Sequence, residues 1–256
     1  MLSHTADQLC SFNRSDRPPQ RHVRKAIFSL QLWWPKRLHT SRLAYGGGTR
    51  RYGKEGHSSP SHDELTVGVL NAQSITHKST AISETIIDRH LDVLALTETW
   101  HHVSDDLPLR RCAPPGYAIV DASRQSADRG GGVALVFSKR FSAKRLTFAV
   151  QPTTFEVLGC MLRSASVSAV YVVIYRPGSK TVTESFFEEL ICLLETVATY
   201  RCPIIVCGDF NIHVNNPNDR HAQHFAEIIE SFDLVQNVDG STHRDGNYTR
   251  PCSDTP

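Results

Sequence analysis

Residues 204–213, with the sequence IIVCGDFNIH, decide the fold of this 256-residue chain. Four apolar residues of strand character run directly into Gly208, Asp209, Phe210 and Asn211. In a sheet that is covered on its faces, this switch marks the carboxyl end of a buried strand, where alternation points Asp209 and Asn211 the same way. A carboxylate beside an amide can hold a water molecule, a hard metal ion or a phosphoryl oxygen. The alternative is a strand followed by an Asx turn, which Asp and Asn also favour.

The composition indicates one sizeable domain or two small ones with a packed core, since 40% of the residues are apolar. No apolar run approaches the length of a membrane helix, and the N-terminus lacks the pattern of a secretory signal. The seven cysteines include no Cys-x-x-Cys pair, which favours reduced thiols over disulfides or a zinc site. We therefore expect a nuclear or cytoplasmic protein that does not enter a membrane.

Charge divides the chain into two parts. Residues 1–60 hold 11 Lys and Arg against 3 Asp and Glu, whereas residues 61–256 hold 17 against 23. Residues 1–62 also lack sustained periodicity and are rich in Arg, Ser, Pro and Gly, so they are predicted to be a disordered basic extension. The extension could hold nucleic acid electrostatically, serve as a mitochondrial-type leader, or have no role.

Order is predicted to begin at residue 66. Apolar strands are expected at residues 66–70 and 91–96, and an amphipathic helix between them makes these two strands parallel. Short strands at regular spacing follow and predict antiparallel pairing in a second layer; they are residues 117–121, 132–138, 144–150, 155–162 and 166–174. A helix with a capping box at Thr181 and Glu184 precedes the strand at residue 204, and a last helix covers about residues 219–232.

Four predicted strands end in polar residues, namely Asn71, Glu98, Tyr175 and the pair Asp209 and Asn211. Polar strand ends that converge in an α/β fold predict a site. Oxygen ligands without cysteine favour Mg²⁺ or Mn²⁺, which bind through few protein ligands and keep water molecules for a phosphate. The expected chemistry is metal-assisted hydrolysis of a phosphodiester, and Tyr175 with the adjacent Arg176 could contact the phosphate oxygens.

Five motifs in register resemble the endonuclease/exonuclease/phosphatase superfamily over roughly residues 66–247. They are VLN at 69–71, LTETW at 96–100, RGGGVA at 129–134, IYRP at 174–177 and GDFN at 208–211. The TETW, RGGG and YRP motifs are similar, more narrowly, to the endonuclease domain of non-LTR (LINE-type, Jockey-like) retrotransposons. The resemblance implies a DNase I-like four-layer α/β sandwich, in which two packed mixed sheets are flanked by helices.

The resemblance also implies roles for individual residues. Asn71 and Glu98 would bind the catalytic Mg²⁺, and Tyr175 would bind phosphate. Asp209 would orient the attacking water, and Asn211 would stabilise the pentacoordinate phosphorane. Further along the chain, Thr242 lies in STHRDGN, which resembles the Thr-His-x-x-Gly-Asn segment of the family, so it is assigned with Arg176 to phosphate or DNA binding.

The resemblance breaks after Asn247. The family pattern continues with Leu-Asp-Leu-Val and later Ser-Asp-His, whereas this chain reads YTRPCSDTP at residues 248–256. The domain is therefore expected to span residues 63–247, to be truncated, and to be followed by an unrelated tail. Out-of-phase reading of degenerate codons for the tail permits Thr-Leu-Asp-Leu-Val, which suggests a frameshift. Loss of the Ser-Asp-His residues would cost orders of magnitude in rate.

Two functions of different classes follow from these patterns. The first is a Mg²⁺-dependent DNA endonuclease domain of retrotransposon origin, impaired by the missing motif, with DNA as its partner and no obligate protein partner. The second is an inactive retroelement remnant that at most binds nucleic acid. A phosphatase or sphingomyelinase of the same superfamily fits less well, because TETW and RGGG point to retroelements.

Overall fold

The computed structural model describes residues 24–26, 39–44, 64–101, 106–124, 130–212, 214, 216 and 218–236. The elements in this part of the chain are β1 (Arg24–Ala26), β2 (His39–Ala44), β3 (Glu64–Asn71), α1 (Ser79–Asp88), β4 (Val93–Thr97), α2 (Leu107–Arg111), β5 (Tyr117–Ala122), β6 (Val133–Ser138), β7 (Ser142–Arg145), β8 (Glu156–Arg163), β9 (Ser168–Tyr175), α3 (Glu184–Ala198), β10 (Ile204–Asp209), α4 (Arg220–Ser231) and β11 (Leu234–Gln236).

The strands form two mixed sheets. One sheet has the order β2-β3-β4-β6-β5, with β3 and β4 parallel and the other pairs antiparallel. The other sheet has the order β11-β1-β10-β9-β8-β7, with β9 and β10 parallel and β8 antiparallel to both of its neighbours. Each sheet thus contains one parallel pair whose strands both lead into predicted site residues.

Three apolar layers hold the sheets and helices together. The inner faces of both sheets meet in a layer that includes Val67, Ala95 and Val173. Helices α1 and α2 cover the outer face of the first sheet, and α3 and α4 cover the outer face of the second. The order helix, sheet, sheet, helix confirms the predicted four-layer α/β sandwich.

The strands are apolar on both sides because each sheet is covered on both faces. On β3, for example, Val67 and Val69 face the second sheet, whereas Leu70 packs with the helices. The same alternation, continued by one step, turns Asn71 toward the space between the sheets. Asp209 at the end of β10 follows Cys207 in the same way, so the sandwich aims both side chains at one gap.

Helix α3 illustrates how local chemistry sets an element boundary. Its N-cap is Thr183, whose hydroxyl accepts a hydrogen bond from the amide of Phe186, rather than the predicted Thr181. Its apolar stripe packs on the second sheet, and Phe186 and Phe187 are 1% exposed. On its other side, Glu189 accepts four hydrogen bonds from the amides and hydroxyls of Thr153 and Thr154, which fastens the loop before β8.

Two short segments of the basic extension, which is predicted to be largely disordered, each add a strand to one of the sheets. Strand β2 pairs with β3 in antiparallel register, and β1 lies between β10 and β11, parallel to both. A strand that is buried on both faces is destabilised by an open ladder edge, so β3 and β10 have a strong preference for a partner. Charge and periodicity do not report such long-range pairing.

Smaller differences concern short elements. The prediction did not include α2 or β11, and β7 covers residues 142–145 instead of 144–150. Strand β7 has four exposed residues, so it carries no alternating apolar signal. In the described part of the chain, none of the helices combines the length and the hydropathy that a membrane crossing requires.

Candidate functional site

The side chains of three distant residues meet at the carboxyl ends of the parallel strands. The amide nitrogen of Asn71 donates to Glu98 Oε1 at 2.9 Å and to Asp209 Oδ2 at 2.7 Å. All three side chains are buried, with exposures of 1%, 9% and 0%. Two carboxylates from different sheets therefore converge on one atom at the edge of the sandwich.

Burial dominates the electrostatics of Asp209, and the next-largest influence, the hydrogen bond from the amide of Asn211, acts in the opposite direction. Burial raises its pKa to about 7, and the negative charge of Glu98 acts in the same direction. The amides of Asn211 and Asn71 and the cation of Arg176 oppose this shift without cancelling it. The environment as a whole therefore favours the protonated form of Asp209 more than water does.

Glu98 has a strained backbone conformation that hydrogen bonds from a neighbouring segment stabilise. Its φ of +51° lies in the left-handed region, which costs a non-glycine residue about 1–2 kcal/mol. The segment after β4 compensates with backbone hydrogen bonds, because the carbonyl oxygen of Glu98 accepts from the amide of Ser74 at 2.8 Å and that of Thr99 accepts from Ile75 at 3.1 Å. The segments after β3 and β4 are therefore tied together beyond the end of the regular ladder.

Tyr175 lies opposite Asp209 in the register of β9 and β10, and its residue exposure is 7%. Burial raises the pKa of its phenol, and the negative charges of Glu98 and Asp209 raise it further. The phenol therefore remains a neutral hydrogen-bond donor over the whole physiological range. Its ring also faces the guanidinium of Arg124, whose Cζ is 6.0 Å from the ring centroid.

Arg176 is buried, with 3% exposure, and its guanidinium contacts backbone rather than open space. Its Nε donates to the carbonyl oxygen of Phe210 at 2.7 Å, and its Nη atoms donate to those of Pro177, Lys180 and Asn211. This geometry does not support the predicted phosphate contact. It gives Arg176 the role of joining the loop after β9 to the loop after β10.

Asn211 completes the junction between these two loops. Its amide side chain donates to the carbonyl oxygen of Arg176 at 2.7 Å, and its backbone amide donates to Asp209 Oδ1 at 3.1 Å. The second contact is the Asx turn that was considered as the alternative to a site. The turn orients the Asp209 carboxylate, and its other oxygen contacts Asn71, so the Asx turn is compatible with the predicted site.

The glycine run at residues 130–132 packs against the segment that carries Glu98. A Cβ at Gly132 would lie 2.3 Å from the Thr99 hydroxyl, and a Cβ at Gly131 would meet the side chains of Arg124 and Glu156. Glu156 accepts from the amide of Gly132 and from Arg124, so the loop is bound from both sides. The glycines thus allow close approach to the segment that carries Glu98.

Three residues near the site had no signal in the sequence. His101 is 7% exposed and lies between the Thr99 hydroxyl, 2.7 Å from Nδ1, and Asp121 Oδ2, 2.9 Å from Nε2. The hydrogen bond with His101 lowers the pKa of Asp121. Lys78 donates to the carbonyl oxygens of Ala72 and Gln73, directly after Asn71. The contact of His101 with Asp121 joins residues 20 positions apart, and Lys78 contacts carbonyl oxygens five and six positions before it, so apolar periodicity reveals neither.

Thr97 carries a buried hydroxyl that has no hydrogen-bond partner within the described residues. The residue is 0% exposed and pairs with Asn71 in the register of β3 and β4. By alternation along β4 it follows Val93 and Ala95, which face the second sheet. The unpaired hydroxyl is therefore on the side of the sheet that carries Asn71.

The donor set fits a hard divalent cation. It consists of the carboxylates of Glu98 and Asp209 and the amide of Asn71, whose oxygen is the atom that Mg²⁺ or Mn²⁺ would bind. Within the described residues, no group of three or more His, Cys, Asp and Glu side chains is arranged so that it could hold a metal ion. A separate cavity of about 430 Å³, lined among others by Arg110, Tyr117 and Lys139, shares no residue with this set.

Two predicted positions lie outside the described residues. Thr242, assigned to phosphate or DNA binding, is one of them, and the tail at residues 248–256 with its Ser-Asp pair is the other. Arg129 of the RGGG motif is likewise not described, whereas the three glycines are. The structure thus brings together Asn71, Glu98 and Asp209 with Tyr175 and Asn211 beside them.

Comparisons with known proteins identify similar chains. A family model described as Endonuclease/Exonuclease/phosphatase family matches residues 68–256. Among solved structures, the catalytic domain of human Nocturnin with bound sulfate is similar at 21% identity over 63% of this chain and 68% of that one, with a TM-score of 0.47. The endonuclease domain of TRAS1, a telomere-specific non-LTR retrotransposon, is similar at 15% identity over 65% and 71%, with a TM-score of 0.49.

A third similar structure is the AP endonuclease LMAP from Leishmania major, at 16% identity over 66% of each chain and a TM-score of 0.49. The chain spans about two thirds of the length of these structures. No curated protein matches it in sequence.

Proposed function

The chain belongs to the Endonuclease/Exonuclease/phosphatase family, and from that premise we propose that it is a Mg²⁺-dependent DNA endonuclease domain of retrotransposon origin. The observation that carries the proposal is the convergence of Asn71, Glu98 and Asp209, residues that are up to 138 positions apart. The retrotransposon origin is supported by the TETW, RGGG and YRP motifs, of which the first and second contact each other behind Glu98.

Asn71 and Glu98 would hold the cation together with water molecules. When bound, Mg²⁺ would act as a Lewis acid on the scissile phosphate and neutralise the charge that develops there. Asp209 would accept a hydrogen bond from the attacking water and so orient its oxygen toward phosphorus. Tyr175 would donate its phenolic hydrogen to a phosphate oxygen, which its raised pKa allows at any physiological pH.

The reaction would be a displacement at phosphorus. The water oxygen forms a bond to phosphorus, the bond to the 3′ oxygen breaks, and that oxygen leaves with a proton as a 3′-hydroxyl. The products are a 5′-phosphate and a 3′-hydroxyl. A nick of this kind can prime reverse transcription, because a polymerase extends a 3′-hydroxyl.

The test is a plasmid-nicking assay with the full chain. We expect open circles from supercoiled DNA in Mg²⁺ and none in EDTA, and the nicks should be extended by a DNA polymerase without prior end repair. Asp209→Ala should lower the rate by about 10²- to 10⁴-fold, the usual contribution of a group that assists proton transfer. Glu195→Gln, on the exposed face of α3, is the matched control and should nick like the wild type.

Other outcomes assign the chain differently. Equal nicking by the wild type and Asp209→Ala would identify a contaminating nuclease and contradict the proposal. No nicking by either protein, with both folded, would favour the inactive remnant. Release of phosphate from a monoester without DNA nicking would favour a phosphatase of the same family.

A further inference from the structure

Trp100 is an exposed aromatic side chain two residues after Glu98 of the candidate site. It is one of four exposed large apolar side chains among the described residues, and its exposure is 38%. The other three lie on helices α1 and α2 or after β7, and Trp100 is the member of this group that follows a strand carrying a site residue.

The backbone holds this ring outward against conformational strain. Trp100 has a φ of +54°, in the left-handed region that a bulky residue avoids. Its amide donates to the carbonyl oxygen of Gly131 at 2.8 Å. Both neighbours in sequence are buried, with the hydroxyl of Thr99 and the ring of His101 joined at 2.7 Å. Strain of this kind persists where the surrounding contacts over-determine the conformation.

The strain is concentrated around the site. Seven described residues other than glycine have a positive φ, and two of them, His90 and Asp233, follow the ends of α1 and α4, where left-handed residues commonly terminate helices. The other five all follow the strand ends that carry the site, and they are Gln73, Ser74, Glu98, Trp100 and Asn211. Strained backbone that clusters in one place supports a functional role for that place.

One edge of the Trp100 indole packs against a glycine. A Cβ at Gly130 would lie 3.5 Å from its Nε1 and 3.8 Å from its Cε2, so one edge of the ring lies against this glycine. Gly130 has a φ of +102° and is itself part of the loop that Glu156 binds through Gly132. The ring is therefore supported along an edge while more than a third of the residue faces solvent.

We propose that Trp100 is a stacking platform for an unpaired base of the DNA strand, one to two nucleotides from the scissile phosphate; this proposal rests on the proposed function. The Cα atoms of residues 98 and 100 are at most about 7 Å apart, and successive bases of one strand rise about 3.4 Å. A fixed aromatic face accepts any base, because every base has a π surface. Duplex bases are already stacked on each other, so the platform favours unpaired or displaced bases.

The first experiment measures the fluorescence of the Trp100 indole. Trp100 is one of three tryptophans, so substituting Trp33→Phe and Trp34→Phe in the full chain leaves it as the single indole fluorophore. A single-stranded oligonucleotide with bases should quench its emission in EDTA, where cleavage does not proceed. An abasic oligonucleotide of equal length and charge should not. Equal quenching by the two oligonucleotides, or none by either, would overturn the proposal.

The second experiment changes the platform. Trp100→Ala should weaken binding of the single-stranded oligonucleotide on the order of tenfold and leave binding of the abasic one unchanged. Trp100→Phe, which keeps a ring, should recover most of the affinity. Equal loss for both oligonucleotides would show a structural role for the side chain and contradict stacking. The fluorescence experiment, which leaves residue 100 intact, decides the matter if Trp100→Ala does not fold.

These readouts separate the two proposals. Quenching by bases without plasmid nicking would keep the stacking platform and reject the hydrolytic function. Nicking by a protein whose indole does not distinguish the two oligonucleotides would keep the function and reject the platform.

Discussion

Replacing Arg176 by methionine distinguishes a structural arginine from a phosphate-binding one. The substitution keeps most of the apolar stem and removes donors to four backbone carbonyl oxygens, those of Phe210, Pro177, Lys180 and Asn211. Because the residue is 3% exposed, water does not easily replace those donors. The loops that follow Tyr175 and Asp209 would lose the hydrogen bonds that the guanidinium makes between them.

The magnitude follows from the contacts. A hydrogen bond to a charged group contributes about 1.5–3 kcal/mol, and removing one side of a buried charged network costs roughly 3–5 kcal/mol in total, since the individual terms do not add. A domain of ordinary stability unfolds with about 5–15 kcal/mol, so the loss is a large fraction of the whole. For a chain of this size the melting temperature should fall on the order of 10 °C.

The assay is urea denaturation of the wild type, Arg176→Met and Arg176→Lys. The lysine variant keeps the charge but not the planar fork, so it should recover only part of the lost free energy of unfolding. Arg201→Met is the control, because Arg201 is exposed and its loss should change the free energy by less than about 0.5 kcal/mol.

A phosphate-binding role gives the opposite result. Arg176→Met would then unfold like the wild type, and the slope of log DNA affinity against log salt would decrease by about one unit. That outcome would refute the structural assignment and restore the role that the sequence predicts.

Three further substitutions test other parts of the structure. Thr97→Val should raise the free energy of unfolding in EDTA by about 1 kcal/mol, because it removes a buried hydroxyl without a partner, and destabilisation would show that the hydroxyl is bonded. Gly208→Ala should cost roughly 3 kcal/mol or more, since its Cβ would overlap a carbonyl oxygen of β9, whereas Gly116→Ala, with a positive φ but open space, should cost about 1–2 kcal/mol; equal losses in thermal melts would contradict the packing. Burial raises the pKa of Glu189, but the hydrogen bonds from two threonines outweigh it and leave the pKa lowered, so the side chain stabilises the fold above the ordinary glutamate pKa and loses this effect on acidification. Glu189→Gln should therefore be less stable than wild type at pH 7, and the difference should shrink in acid; urea titrations at both pH values measure it, with exposed Glu188→Gln as the control substitution.

Much of the sandwich could be predicted from the sequence because its strands are buried on both faces. Continuous apolar runs such as those of β9 and β10 identify the strands, and the residue after each run identifies the strand end. Parallel pairing then places Asn71 near Glu98 and Tyr175 near Asp209. The contact between the two sheets, which brings Asn71 to Asp209, depends on the packing of layers. The polar strand ends predict that these residues converge, and the resemblance implies the two packed sheets through which they do so.

The features that the sequence did not predict are long-range pairings or competitions between equivalent residues. Strands β1 and β2 have a basic composition and become strands only through their partners. Thr181 and Thr183 both suit an N-cap, and the helix starts after the second. Arg176 was assigned to phosphate because an arginine beside a predicted site suggests an anion, whereas its burial beneath the loops is a tertiary property.

The bond from Asn71 to Asp209 crosses from one sheet to the other, which has a consequence for cooperativity. A cation that binds both residues links two strands that are separated by 138 positions in the chain. Binding of the cation and packing of the two sheets would therefore be thermodynamically coupled. A cation bound there should slow the separation of the layers, and hydrogen exchange of the amides in β3 and β10 should then slow together. The side chains of Asn71 and Asp209 would thus stabilise the contact between the two sheets as well as take part in the proposed reaction.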